Sequence, residues 1–181
     1  MKKLKIIFSF IILIIIALGL YYFWLNSQLL KNQEEVQANQ ADDPKNLSYI
    51  INDQVVSLLD GQAITETAEG ISLTTKIWAE TPTGDLNDDD QTDTAIILTQ
   101  SSGADTYFYL AAALKTDQGY SGTNAILLGD RIVPHKADIT DGILSIYYNQ
   151  EAAEDVLAEQ AGGLSKKLEY RTGQLWEINN Y

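Results

Sequence analysis

Hydrophobic and polar positions divide the 181-residue chain into one unbroken apolar run, a polar stretch and a series of short alternating segments. The run covers Ile6 to Leu25, where the only polar side chains are Ser9 and the amphipathic Tyr21, Tyr22 and Trp24. As a helix it would be roughly 30 Å long, about the hydrocarbon thickness of a bilayer. The aromatic cluster lies at its far end, where such rings prefer the headgroup zone, and Lys2, Lys3 and Lys5 precede it. The pattern predicts a cytoplasmic basic tip over residues 1–5 and a single-pass transmembrane anchor over 6–25. Everything beyond would then be periplasmic or extracellular. A cleaved signal peptide is the competing reading, but its apolar region is normally about 7–15 residues and ends in a small-x-small site. Here Tyr21-Tyr-Phe-Trp-Leu25 stands in that place, which favours an uncleaved signal-anchor.

Residues 26–46 are rich in Gln, Asn and acids, with Leu29, Leu30 and Val36 too sparse to form a packed face. They read as a polar stalk, any helix in it ending at Pro44. In one reading those three apolar residues pair with another anchored protein.

From residue 47 to 181 the period falls to two. Val55–Leu59, an Asp60-Gly61 turn and Ala63–Thr67 are followed by an alternating Ile71–Trp78. Thr94–Leu98 is a short continuous apolar run. Thr106–Leu114 is apolar on both faces, which predicts a central strand covered on each side. Thr123–Leu128 turns at Gly129-Asp130 into Arg131-Ile-Val. Asp141-Gly142 joins Lys136–Thr140 to Ile143–Tyr148, and Thr172-Gly173 joins Lys167–Arg171 to Leu175–Ile178. Gly119-Tyr-Ser-Gly122 and Gly162-Gly163 read as turns. Glu151–Gln160 carries helix formers and reads as a short surface helix or an ordered loop. The fold class is therefore mainly β, an N-terminal transmembrane helix followed by one antiparallel meander closing into a barrel or sandwich.

Charge sharpens this picture. The first thirty residues hold three Lys and no acid, whereas the remainder holds nine Lys or Arg against 25 Asp or Glu, a net of −16. Nucleic acid and anionic lipid both require a basic surface, so neither is an expected partner of the domain. No cysteine is present, so no disulfide holds the fold and a Cys-ligated zinc site is excluded. His135 is the single histidine and no serine sits in a G-x-S-x-G setting, so no nucleophilic triad is expected. A carboxylate pair of the kind glycoside hydrolases use stays open, because acids are abundant. Tyr107, Tyr109, Tyr120, Tyr147, Tyr148 and Trp78 would serve either as core and cross-strand pairs or as an aromatic carbohydrate platform. Arg131 is expected to pair with an acid, one in the Asp85–Asp93 region being the candidate.

The densest chemistry lies in Gly84-Asp-Leu-Asn-Asp-Asp-Asp-Gln-Thr-Asp93. Counting from Asp85, positions 1, 3, 5 and 9 are Asp85, Asn87, Asp89 and Asp93, and position 7 is Gln91, which can offer a backbone carbonyl. This is the oxygen spacing by which alternate residues fold around calcium, a hard cation taking six to eight oxygens. Five carboxylates within nine residues also repel one another unless a cation lies among them. Position 6 is Asp90 instead of glycine, and position 12 is Ile96 instead of a bidentate Glu, so the loop is not an EF-hand. It resembles the β-flanked calcium loops of integrin-type propeller repeats, in a single copy. The competing reading is a solvated acidic turn. The expected cofactor is a structural Ca²⁺ held by Asp85, Asn87, Asp89, Gln91 and Asp93.

Several blocks together carry a wider resemblance: the acidic loop, Tyr107-Phe-Tyr-Leu-Ala-Ala-Ala-Leu114, Gly119-Tyr-Ser-Gly-Thr-Asn-Ala-Ile-Leu-Leu-Gly-Asp-Arg-Ile132 and Asp141-Gly142. In this order, over roughly 76–148, they resemble an uncharacterised bacterial envelope domain in which the loop reads G-D-L-N-G-D-G. Asp88-Asp-Asp90 departs from that pattern. The resemblance implies an exported β domain and brings no established activity. The function expected from the sequence is a membrane-anchored extracytoplasmic binding or accessory domain, not an enzyme, with an envelope protein or glycan as partner. An envelope glycan hydrolase is the alternative.

Overall fold

The computed structural model describes residues 17–24, 40–150 and 163–178. The chain divides into two units, residues 1–38 and 39–181. In the first, residues 17–24 are helical, with the Tyr21 and Trp24 rings stacked 6.3 Å apart. The rest of the expected 6–25 anchor lies outside the described residues. Among the described residues, no helix is long and apolar enough to cross a membrane.

The second unit is mainly β. It opens with β1 (Gln40–Ala41), a 3-10 turn (Pro44–Asn46), β2 (Ser48–Ile51), β3 (Gln54–Ser57) and β4 (Gln62–Glu66). The long strands β5 (Ser72–Gly84), β6 (Asp93–Ser102) and β7 (Asp105–Thr116) follow, then β8 (Gly119–Gly122) and β9 (Ile126–Asp130). The last four are β10 (Ile132–Thr140), β11 (Ile143–Gln150), β12 (Gly163–Arg171) and β13 (Gln174–Glu177). Residues 40–46, read from the sequence as stalk, thus lie within this unit: Asp43 caps the 3-10 turn, and the carbonyl of Lys45 accepts from Gly61 N–H.

Three antiparallel sheets result among the described residues. A seven-stranded sheet runs β1-β8-β7-β6-β5-β4, with β9 also on β7; a four-stranded sheet runs β10-β11-β12-β13; β2 and β3 form a hairpin. The single meander read from the sequence is therefore two, β4–β8 and β10–β13, with the chain leaving the large sheet at Gly129-Asp130-Arg131. Arg131, at φ 46°, pairs with its neighbour Asp130 at 3.5 Å and not with the acidic loop.

Both faces of the central strands β6 and β7 are covered, and their alternation explains how. Ala95, Ile97, Leu110, Ala112 and Leu114 pack with Ala137, Ile139, Leu144, Ile146 and Leu168 of the four-stranded sheet. The intervening Ile96, Leu98, Tyr109, Ala111 and Ala113 pack with Leu47, Tyr49, Ile51 and Val56 of the hairpin layer. Each large aliphatic side chain so buried contributes about 1.5–3 kcal/mol. The central strand expected over Thr106–Leu114 is thus found as β7, with small alanines where the hairpin crosses closely.

Gly119–Gly122 is a strand and not the turn expected: Ala113–Thr116 of β7 offers a free edge, and Gly122 pairs with Ala113. Only glycine fits at its end, because a Cβ on Gly122 would collide with the carbonyl oxygen of Ser48. Gly163 likewise starts β12. The segment 151–160 expected as helix or loop lies outside the described residues.

The next three residues join all the layers. Thr123 donates its N–H to Ala112 O of β7 and accepts Ala112 N–H on its hydroxyl oxygen, and its carbonyl accepts from Ile50 N–H of the hairpin. Asn124 receives Leu175 N–H on Oδ1 at 2.6 Å and donates Nδ2 to Leu175 O at 3.1 Å, tying in the four-stranded sheet. Ala125 N–H returns to Ile50 O.

Candidate functional site

The acidic loop leaves β5 at Gly84 and rejoins the sheet at Asp93 of β6. Two contacts fix its ends. A Cβ on Gly84 would sit 2.5 Å from Ile139 O, so glycine is required where β5 presses on β10. Leu86 inserts into the core between the two large sheets. Between these anchors the backbone coils inward, with left-handed φ at Asp88 (60°) and Asp90 (64°), a conformation that Asp tolerates better than most residues.

Asp85 is the hub of the coil. Its Oδ1 accepts from the N–H of Asn87 and Asp89, both at 3.2 Å, and its Oδ2 from Asp90 N–H at 2.8 Å. Asp89 accepts Gln91 N–H on Oδ1 at 2.8 Å and Asn87 Nδ2 on Oδ2 at 3.0 Å. Asn87 Oδ1 is buried and has no hydrogen-bond partner. Desolvation raises the Asp85 pKa, but the N–H groups of Asp90, Asp89, Asn87 and Asp88 outweigh it and hold the carboxyl below the usual carboxylate range.

Asp93 does something different from what its position in the motif suggests. Fully buried, it accepts Leu86 N–H on Oδ2 at 2.9 Å and Lys115 N–H of β7 on Oδ1 at 2.8 Å. It is the strap that closes the loop and binds it to the neighbouring strand. Desolvation pushes its pKa up, against those two N–H donors and with the charges of Asp89 and Asp85 acting in the same direction as desolvation.

Of the five residues read as ligands, the structure therefore gathers Asp85, Asn87 and Asp89 by hydrogen bonds, links Gln91 through its backbone N–H, and uses Asp93 as a pin. Among the described residues, no group of three His, Cys, Asp or Glu side chains is arranged to hold a metal ion. The carboxylates of Asp85 and Asp89 are held by N–H donors, Asn87 Nδ2 among them, and the unpartnered Asn87 Oδ1 is the atom a hard cation would satisfy.

The aromatic residues are dispersed. Tyr148 is buried in the core, Lys115 lies over Tyr120 at 4.3 Å, and Trp78 meets Phe108 with centroids 6.0 Å apart. Tyr107 and Tyr109 do share a shallow cavity of about 270 Å³ with Asn52, Leu73, Gln100 and Leu127; Asn52 Nδ2 donates to Tyr109 OH at 3.1 Å. A larger open groove of about 720 Å³ lies where β3 parts from β4, against Val55, Leu59, Ile64 and Lys76. Neither is lined by an acid. The sequence had shown both strands and their Asp-Gly turn, but exposure along an open edge leaves no mark in the pattern.

No family model matches the chain, and no curated protein or solved structure matches it.

Proposed function

We propose that this chain is a membrane-anchored, extracytoplasmic binding or accessory module whose acidic loop takes a structural divalent cation of the calcium type. The anchor is the apolar run of residues 6–25, and the acidic domain lies beyond it. The observation that carries the cation reading is the buried, unpartnered Oδ1 of Asn87, flanked by Asp85 and Asp89 in a loop already coiled by backbone N–H groups. Asp85, Asn87 and Asp89 would hold the ion by side-chain oxygens and Gln91 by its backbone, with water completing the shell. Asp93 would stay on Leu86 and Lys115, and the ion would offset the like charges that now surround it.

The test is thermal melting of the full chain with Ca²⁺ and Mg²⁺, beside Asn87→Ala/Asp89→Ala. Extracellular calcium modules have Kd of roughly 10⁻⁴–10⁻³ M, so about 10 mM Ca²⁺ would stabilise the parent by roughly 1.4–2.7 kcal/mol. The variant should not respond. A parent indifferent to both ions at that concentration would sink the reading. The hydrolase alternative gains no support from either cavity, since neither presents the two carboxylates it needs.

A further inference from the structure

The turn Asp60-Gly61, with φ of 52° and 79°, is of the kind that propagates a tight hairpin. Here it closes a single bridge. Leu59 and Gln62 exchange N–H···O bonds at 2.9 and 3.2 Å, and the strands then part. β3 rises with Val56 into the hairpin layer, while β4 stays in the plane of the large sheet on β5. In a continued hairpin Ser57 would face Ile64, and Val55 would face Glu66. No hydrogen bond joins either pair among the described residues.

Antiparallel alternation shows which groups are left open. Gln62 spends its N–H and C=O on Leu59, away from β5, so those of Ile64 and Glu66 point the same way. Leu58 N–H bonds Leu47 O within the β2–β3 hairpin, so the backbone groups of Val55 and Ser57 point out of it. Among the described residues, both arms of the fork thus present unpaired backbone toward one groove. Its apolar side chains are exposed to an unusual degree: Val55 67%, Leu59 71% and Ile64 76%. Thr65 Oγ1, which lines the same groove, is buried without a hydrogen-bond partner.

We infer that the fork is a strand-acceptor site, taking an extended, cationic segment of a partner protein as an added strand along β4. This rests on the reading of the domain as a binding module and names its site. Main-chain bonds to Ile64 and Glu66 supply the pairing, while Val55, Leu59 and Ile64 receive alternate side chains. Charge selects the occupant. Exposed Asp60, Glu66 and Glu69 lie in the turn, at the end of β4 and just beyond it, while the groove's own lining carries Lys76, Lys45 being paired with Glu80 at 3.5 Å. A second copy would bring the same net −13 to this edge, whereas a basic strand is attracted to it.

The probe is a fluorescent peptide of about six residues, a typical strand length, alternating valine with lysine or threonine. Its binding to the full chain is followed by anisotropy in EDTA, which keeps the cation question separate. Two control peptides carry glutamate for lysine or N-methyl groups on alternate amides. The chain variant is Ile64→Pro, which deletes an N–H that the fold's own ladder does not use. Saturable binding of the basic peptide, weakened at least about tenfold by N-methylation, by the acidic substitution and by Ile64→Pro, supports the assignment. Equal binding of all three peptides, no saturable binding, or indifference to Ile64→Pro overturns it. Dimerisation of the chain abolished by Ile64→Pro, or strong hydrogen-exchange protection of the Ile64 and Glu66 amides in the free monomer, also overturns it, in favour of a second copy or of the chain's own segment. A Ca²⁺ response retained by Ile64→Pro separates failure of the fork from failure of the cation loop.

Discussion

Asn124 commits its whole side chain to one backbone position, giving and receiving a hydrogen bond at Leu175. Asn124→Ala leaves a carbonyl and an N–H without partners at a half-buried junction and should cost about 1–3 kcal/mol. Asn124→Asp keeps the acceptor for Leu175 N–H but sets a carboxylate oxygen against Leu175 O, so it should not recover the parent stability. Urea titration checks this, the midpoint moving while the m-value stays constant. The Gly122-Thr-Asn-Ala125 block was visible in the sequence as a block, but its partners lie at Ser48, Ile50, Ala112 and Leu175, distances along the chain that no local pattern encodes. Asp93 makes the same point from the other side. Spacing marks it as a ninth-position ligand, yet its partner Lys115 N–H is set by the register of β6 on β7, which spacing does not see. Asp85, Asn87 and Asp89 were legible because their interactions are local.

Elements were legible where both their faces are apolar or strictly alternating, as in β6, β7 and β11. They were illegible where tertiary context overrides composition. β8 is Gly-Tyr-Ser-Gly, a turn by every local rule, and it is extended because β7 offers an unpaired edge beside it. β2, Ser48–Ile51, gave too short a run to stand out, although it supplies Tyr49 and Ile51 to one core. Gly122→Ala tests how tightly the hairpin layer sits on β8. With the Cβ forced against Ser48 O, the layer must shift, and a loss of about 1–3 kcal/mol is expected. Hydrogen exchange should show the loss of protection concentrated at Ile50 and Ala125, whose amides bond across that contact. Uniform loss across the four-stranded sheet would point instead to global destabilisation.

At the scale of the molecule, alkaline pH tests the hairpin core. Burial, with the charges of Glu80 and Asp43 adding to it, holds the Tyr49 phenol far above the usual tyrosine range, and its hydroxyl donates to Pro44 O at 3.0 Å. The folded pKa is raised, so the unfolded chain ionises first. The stabilisation is complete below the ordinary tyrosine pKa of about 10 and is lost as pH rises beyond it. Denaturant unfolding between about pH 9 and 11 should show a steep fall in stability that is shallower in Tyr49→Phe. A parallel slope in the two proteins would place the alkaline sensitivity elsewhere, Tyr170 being raised by burial as well.

The two-sided burial of β6 and β7 also bears on how the chain comes into being. Synthesis runs from the N-terminus, so Tyr49, Ile51 and Val56 already exist when the central sheet emerges, and one of its faces can be capped at once. The opposite face, carrying Ala95, Ile97, Leu110 and Ala112, must wait for Leu144, Ile146 and Leu168. Until β11 and β12 leave the ribosome, the nascent domain carries an adhesive surface. The interval is when a chaperone would hold it.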